Sequence, residues 1–192
     1  VNRKGVGPAR GTPLETITWR AGEGGPLAPD SEIICQLKQQ IIDSWHDHDG
    51  GTPAEAARHY AEEARLNPVF DDSGALEGEE QIQAWFAFQR QRFSAEDRWD
   101  FQHRVIGFRF QLQGQWVKSQ HQLLTTGQKR QEDGEIRTFM VPGNGSDVWI
   151  MIDGAWKILS RTIEIDFAFY RDPALMNPLG FLKSKNDKKE ER

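Results

Sequence analysis

IRTFMVPGNGSDVWIMIDGAWKILSRTIEIDFAF, residues 136–169, is the stretch whose reading decides the fold. Its side chains alternate between apolar and polar, as in a strand with one buried face. Asp153–Gly154 is a dipeptide that favours a two-residue hairpin turn. The stretch therefore reads as two antiparallel strands, Ile136 to Ile152 and Ala155 to Phe169. Pro142–Gly143 reads as an interruption of the first strand, a bulge that would curl the sheet. The same period of two continues upstream. Asp100 to Leu112 and Gln115 to Thr126 read as strands around a Gln113–Gly114 turn.

Further toward the N-terminus the period becomes helical. Ile33, Ile34, Leu37, Ile41 and Trp45 recur at helical spacing after Asp30 or Ser31, and this helix stops before Gly50–Gly51. Thr52, Pro53 and Glu55 form a capping box with proline at the first helical position. The helix they start carries Ala56, Ala57, Tyr60 and Ala64 on its packing face. Pro68 ends it, so Arg65 to Phe70 becomes extended. A third helix, from Gly78 to Phe93, has Ile82, Trp85, Phe86 and Gln89 on its inner face. Three N-terminal helices packed on a strongly curved antiparallel sheet make a cone-shaped α+β fold. Helices across the concave face of such a sheet leave a tapered cavity.

The 192 residues suffice for one domain with a sizeable core. Residues 1–29, rich in Gly, Pro and Arg, read as a flexible N-terminal arm, and the charged residues 183–192 as a disordered tail. The folded unit is 30–182, with no internal repeat. The net charge of −5 and the lack of a basic stripe argue against a nucleic-acid partner. No apolar run reaches the length of a membrane span, and no signal peptide is visible. Cys35 is the only cysteine and reads as a small core residue beside Ile34. Nothing demands an oxidising compartment, so the cytoplasm is the expected location.

Three places carry chemistry. Trp45–His46–Asp47–His48–Asp49 ends the first helix, where a protonated imidazole would also complement the helix dipole. Imidazole and carboxylate are ordinary metal ligands, but His46 and His48 do not share a helix face and no second cluster accompanies them, so no metal is expected. His103 lies in the first long strand with Phe101 and Val105 as same-face neighbours. An imidazole there suits proton transfer near neutral pH, and a carboxylate on its other nitrogen would fix its tautomer. His121, between Gln120 and Gln122, reads as a solvated or edge position. Gly143–Asn144–Gly145 lacks the context of a dinucleotide loop, no nucleophile elbow is present, and no cofactor is expected. The seven tryptophans and eleven phenylalanines exceed what a minimal core needs. Trp45, Tyr60, Phe70, Phe86, Phe139, Trp149, Phe169 and Tyr170, with His121, are the candidate lining of an aromatic pocket for a small-molecule substrate.

Taken in order, these residues resemble scytalone dehydratase and, more broadly, the SnoaL-like cyclases and dehydratases of the nuclear transport factor 2-like superfamily. The likeness rests on Ile42–Asp43–Ser44–Trp45 with its acidic sequel, Gln102–His103, His121–Gln122–Leu123, and Ile152–Asp153–Gly154–Ala155–Trp156–Lys157. It spans about residues 30 to 170. The resemblance implies a catalytic histidine at His103. It places the family's aspartate on His46, with Asp47 and Asp49 close by. Comparison with the related dehydrochlorinases, which use an Asp–His dyad, favours Asp49 as the partner of His103. Which of His46, Asp47 and Asp49 faces inward stays open, because helix ends fray. The family's water-holding tyrosine is replaced by Trp45, and its further polar positions fall near Gly127, Gly143 and Gly145. The segment after the last strand, with Phe167, Phe169, Tyr170, Met176 and Phe181, would close over the pocket.

The resemblance implies a cofactor-independent lyase or isomerase, of dehydratase or cyclase type. It would act on a polyketide-like or other polycyclic natural-product intermediate through His103 acid/base chemistry in a closed apolar pocket. A non-catalytic small-molecule-binding module of the same fold is the alternative. A homodimer through the convex sheet face is a further expectation, limited by the polar Gln120, Gln122 and Thr126 there.

Overall fold

The computed structural model describes residues 27–71, 73–93 and 99–166. The expected arm through residue 26, the tail 183–192 and the candidate closing residues Phe167, Phe169, Tyr170, Met176 and Phe181 lie outside the described residues.

The helix α1 (Ser31–Gly50) is followed by α2 (Pro53–Ala57), β1 (Tyr60–Pro68), β2 (Leu76–Glu77) and α3 (Gly78–Arg92). Four long strands follow: β3 (Trp99–Gln113), β4 (Trp116–Arg130), β5 (Ile136–Ile152) and β6 (Ala155–Ile165). They form one sheet in the order β2-β1-β6-β5-β4-β3. β1 runs parallel to β6, and every other pairing is antiparallel.

The hairpin at Asp153–Gly154 forms as the sequence predicts, with φ of 49° and 82° at its two central residues. The expected break at Pro142–Gly143 is corrected. β5 pairs with β4 without interruption from Ile136 to Ile150. Proline is tolerated because the Pro142 carbonyl accepts from Asp166 N on the β6 side, beyond the last paired residue of β6, Ile165. Its missing N–H would have faced that same side, so no bond to β4 is lost.

The sheet bends elsewhere. Pairing of β3 with β4 shifts between Ile106 and Arg109, at Gly107 with φ 65°. The extra residue changes which parity faces inward. Phe101, His103 and Val105 face in before the bulge; Phe108, Phe110 and Leu112 face in after it. A second shift lies between β5 and β6, at Val148/Trp149.

The second helix is also shorter than expected. It ends at Ala57 after about one and a half turns, although its capping box at Thr52 and Glu55 is complete. Tyr60 and Ala64 instead belong to β1, which pairs with β6 and buries Ala64, Leu66 and Pro68 at every second position. Sheet pairing overrides the local helical pattern there.

α1 buries Leu37, Ile41, Ser44 and Trp45, and α3 buries Ile82, Trp85, Phe86 and Gln89. These meet Val117, Leu123, Trp149 and Ile158 from the sheet in one core. Burial of each large aliphatic side chain contributes about 1.5–3 kcal/mol. Cys35 is exposed, contrary to the core position expected for it. It stands two residues from Leu37, roughly 200° around the helix, and so points away from the buried stripe. Among the described residues no helix is long and apolar enough to cross a membrane.

Candidate active site

The last turns of α1 lie against β3, which brings the helix end to His103. The Asp49 carboxylate holds that residue twice. Its Oδ2 accepts the backbone N–H of His103 at 2.7 Å, and its Oδ1 lies 2.5 Å from the ring Nδ1. The carboxylate has no proton to give, so Nδ1–H donates and the second ring nitrogen, Nε2, carries the lone pair. Both side chains are 13 % exposed: shielded, yet still reachable.

Rings enclose this pair. Trp45 stands 4.7 Å from the His103 ring, and His48 stacks on Trp45 at 4.8 Å with an interplanar angle of 16°. His48 in turn contacts His103, Trp85 and Phe86. Phe101 flanks His103 from along the strand. Burial holds the His48 imidazole well below its usual range, with the charges of Arg161 and Arg90 acting in the same direction, so it is neutral at neutral pH. Asp71 fixes the far wall, accepting from Trp85 Nε1 and Gln89 Nε2, each at 3.0 Å.

Behind Trp45 lies a buried polar layer. The indole N–H of Trp45 donates to His121 Nε2 at 2.8 Å. His121 Nδ1 is 3.7 Å from Asp147 Oδ2, beyond hydrogen-bond distance. Asp147 pairs with Arg161 through contacts of 2.7 and 3.0 Å, and Arg161 also donates to Ser44 Oγ. The guanidinium sits 5.1 Å from the Trp45 ring. Burial opposes its charge, but the Asp147 carboxylate outweighs that and holds Arg161 above its ordinary value. Burial lowers His121 to about 4, against the pull of Asp147, and raises Tyr60 to about 12.

His121 is therefore not the solvated or edge residue expected from its neighbours: it is 1 % exposed. Gln120 and Gln122 occupy the other face of β4, because strand side chains alternate. Gly145 on β5 makes room for the ring. A Cβ there would come within 2.1 Å of His121 Nε2.

The other predicted residues divide clearly. His46 is 84 % exposed and stands outside the enclosure, 3.8 Å from Asp47. Asp47 also faces outward. It accepts from Arg58 at 2.9 Å and lies 2.7 Å from His59 Nε2. Partial burial pushes the Asp47 carboxyl up, but His59 and Arg58 together hold it below its ordinary value. These residues line an outer groove of about 380 Å³ with Asp43, Trp156 and Lys157. Tyr60 lies 6.1 Å from Phe86, and Phe70 lies 6.3 Å from Trp85. The ring tip of Phe139 lies over Gly127, where the Asp100 carbonyl and Phe101 Cβ already leave no room for a side chain.

Trp149 belongs to the buried core. It is fully buried and donates to Ser119 Oγ. It pairs across from Val117, whereas His103 pairs with Thr125, eight residues or about 26 Å along β4. Phe169 and Tyr170 lie outside the described residues.

Sequence reasoning missed His48 and Arg161 as members of this constellation. The signal for His48 was present: it follows Ile41 and Trp45 at i+7 and i+3 on the buried face of α1. The signal for Arg161 was its inward parity on β6 beside Asp147 on β5. Among the described residues, no three His, Cys, Asp or Glu side chains converge to hold a metal ion.

No family model and no curated protein matches the chain. Solved structures do. Aln2 from a Streptomyces species is 19% identical, with 73% of this chain and 95% of that one covered and a TM-score of 0.60. A Novosphingobium aromaticivorans protein provisionally named a scytalone dehydratase is 13% identical, covering 71% and 85%, with a TM-score of 0.59. A Catenulispora acidiphila protein in complex with S-DNPA is 18% identical, covering 71% and 96%, with a TM-score of 0.58. At these identities the likeness is one of fold, a curved-sheet α+β architecture.

Proposed function

We propose that this chain is a cofactor-independent lyase or isomerase in which His103 moves a proton at a carbon next to a carbonyl, with Asp49 as its partner. The observation that carries the reading is the twofold hold of Asp49 on His103. It fixes the ring's tautomer and orientation and balances the imidazolium that forms when Nε2 takes a proton. His103 Nε2 removes the proton, and the electron pair passes to the carbonyl oxygen as an enolate. The imidazolium then gives the proton to a β-hydroxyl, which leaves as water, or to a different carbon. The first outcome is dehydration and the second isomerisation. Asp49 stays ionised throughout.

The ring-lined surroundings support a flat, aromatic or polycyclic substrate, as does the scytalone dehydratase name carried by one protein of the same fold. The S-DNPA complex of another supports a small-molecule ligand. Low water content around His103 would favour the chemistry, since fixed dipoles then act without solvent competition.

The test is turnover of a panel of β-hydroxy ketones fused to aromatic rings, followed by loss of water in the product mass and by rearranged products. The expected result is turnover by the wild type, reduced about a hundredfold or more in His103→Ala. Saturable binding without turnover of any member would leave the same fold acting as a binding module.

A further inference from the structure

α1 ends without the usual left-handed cap. Gly51 is extended, with φ −74°, and its N–H returns to the Asp47 carbonyl at 2.9 Å. A Cβ at residue 51 would lie 2.8 Å from that same carbonyl oxygen, so glycine is needed for the close approach. The carbonyls of His48 and Asp49 belong to the last turn, whose C=O groups find no partner within the helix. Their partner comes from another element. The Arg90 guanidinium, from α3, donates through Nη2 to Asp47 O at 2.8 Å and His48 O at 2.6 Å, and through Nη1 to Asp49 O. One planar fork therefore holds the three carbonyls flanking the side chain that grips His103.

We propose that Arg90 is the positioning residue of the His103–Asp49 pair: together with the Gly51 N–H it caps the end of α1, and so it sets where the Asp49 carboxylate meets β3. The proposal rests on the acid/base reading of that pair. The helix end is held from two more directions, by Arg58 and His59 on Asp47 and by His103 on Asp49. Of these side-chain contacts, those of Arg90 are the ones that act on the backbone of residues 47–49. A guanidinium suits this role because its donors lie in one rigid plane; a lysine ammonium offers a single point and cannot span three carbonyls. Its positive charge also lies at the negative end of the helix dipole, which adds to the hydrogen bonds.

The test reads the pair first without turnover and then with it. In ring-¹⁵N-histidine protein, the Nδ1–H proton shared with Asp49 is identified by its loss in His103→Gln. The expected result is that this resonance vanishes or shifts markedly in Arg90→Ala and returns when guanidinium ion is added at tens of millimolar. Arg90→Lys restores it only in part. Arg90→Gln, which keeps one donor, decides the matter if Arg90→Ala does not fold. Arg104→Ala, an exposed charge on the outer side of β3, leaves the resonance unchanged. In the carbonyl-compound assay, Arg90→Ala loses at least tenfold in kcat with KM little changed. A resonance at the wild-type position in the folded Arg90 variants overturns the proposal while leaving the acid/base reading intact. A wild type that shows the shared proton but turns over no substrate refutes the activity and leaves the positioning role standing. A wild type with no such proton removes both.

Discussion

The indole N–H of Trp45 donates to Nε2 of His121 across 2.8 Å, with both side chains about 1 % exposed. This bond ties the ring beside His103 to the buried polar layer of the sheet. It also requires His121 to be neutral, since a protonated imidazole has no lone pair to accept with.

Acid sensitivity follows from that requirement. Burial lowers His121 from 6.5 to about 4 in the folded protein. The unfolded chain thus binds this proton more readily, and folding stability falls as pH drops from 6.5 towards 4. Above 6.5 the contribution is fully present. The slope approaches about 1.4 kcal/mol per pH unit, giving up to about 3 kcal/mol over the window. His48, also held neutral by burial, adds in the same direction. Urea midpoints between pH 7.5 and 4.5 measure this. His121→Phe is expected to start less stable and to lose less on acidification; an unchanged slope would count against the assignment.

Gly145 is the second test of the buried layer. Gly145→Ala places a methyl where His121 Nε2 sits, so either the ring or β5 must move. The expected cost is about 1–3 kcal/mol, the scale of overpacking in a tight core. Near-ultraviolet circular dichroism should report the disturbed Trp45. A variant with wild-type melting temperature and spectrum contradicts the packing described.

The Asp147–Arg161 pair makes a prediction with two arms. Arg161→Met leaves the Asp147 carboxylate buried without its cation and should cost about 3–5 kcal/mol in denaturant unfolding. Asp147→Leu combined with Arg161→Met should recover part of that loss, because no unpaired charge remains. A double variant no more stable than the single one would show that the pair is not the dominant interaction there.

Asp47 and Asp49, two residues apart, face opposite surroundings. Asp49→Asn should reduce activity a hundredfold or more with little change in melting temperature. Asp47→Asn loosens the contacts to Arg58 and His59, costs about 1 kcal/mol or less, and leaves kcat near wild type. Measuring kcat and melting temperature for both variants separates the roles. Equal losses of activity would contradict the division.

Much of this architecture was legible in the chain. β5 begins and ends where alternation placed it, and the inner face of α3 is the one its period marked. The expected bulge was misplaced because Pro142 looks like a break in isolation; only the end of β6 beside it makes the proline harmless. Tyr60 and Ala64 looked helical because short apolar runs fit either period, and pairing with β6 decided for a strand. At the site, the resemblance favoured Asp49 over its neighbours as the partner of His103. Composition alone could not separate Asp47 from Asp49, because each meets a histidine outside α1. Arg90 gave no local signal, since its partners are backbone carbonyls on another helix.

Deuterium wash-in from D₂O at the carbon beside the carbonyl of an aromatic-fused ketone, read by NMR, tests the central claim most directly, because it needs proton abstraction and no particular product. The account predicts enzyme-dependent exchange by the wild type, lowered about a hundredfold or more in folded His103→Gln and Asp49→Asn. Exchange at the wild-type rate in either folded variant would contradict it.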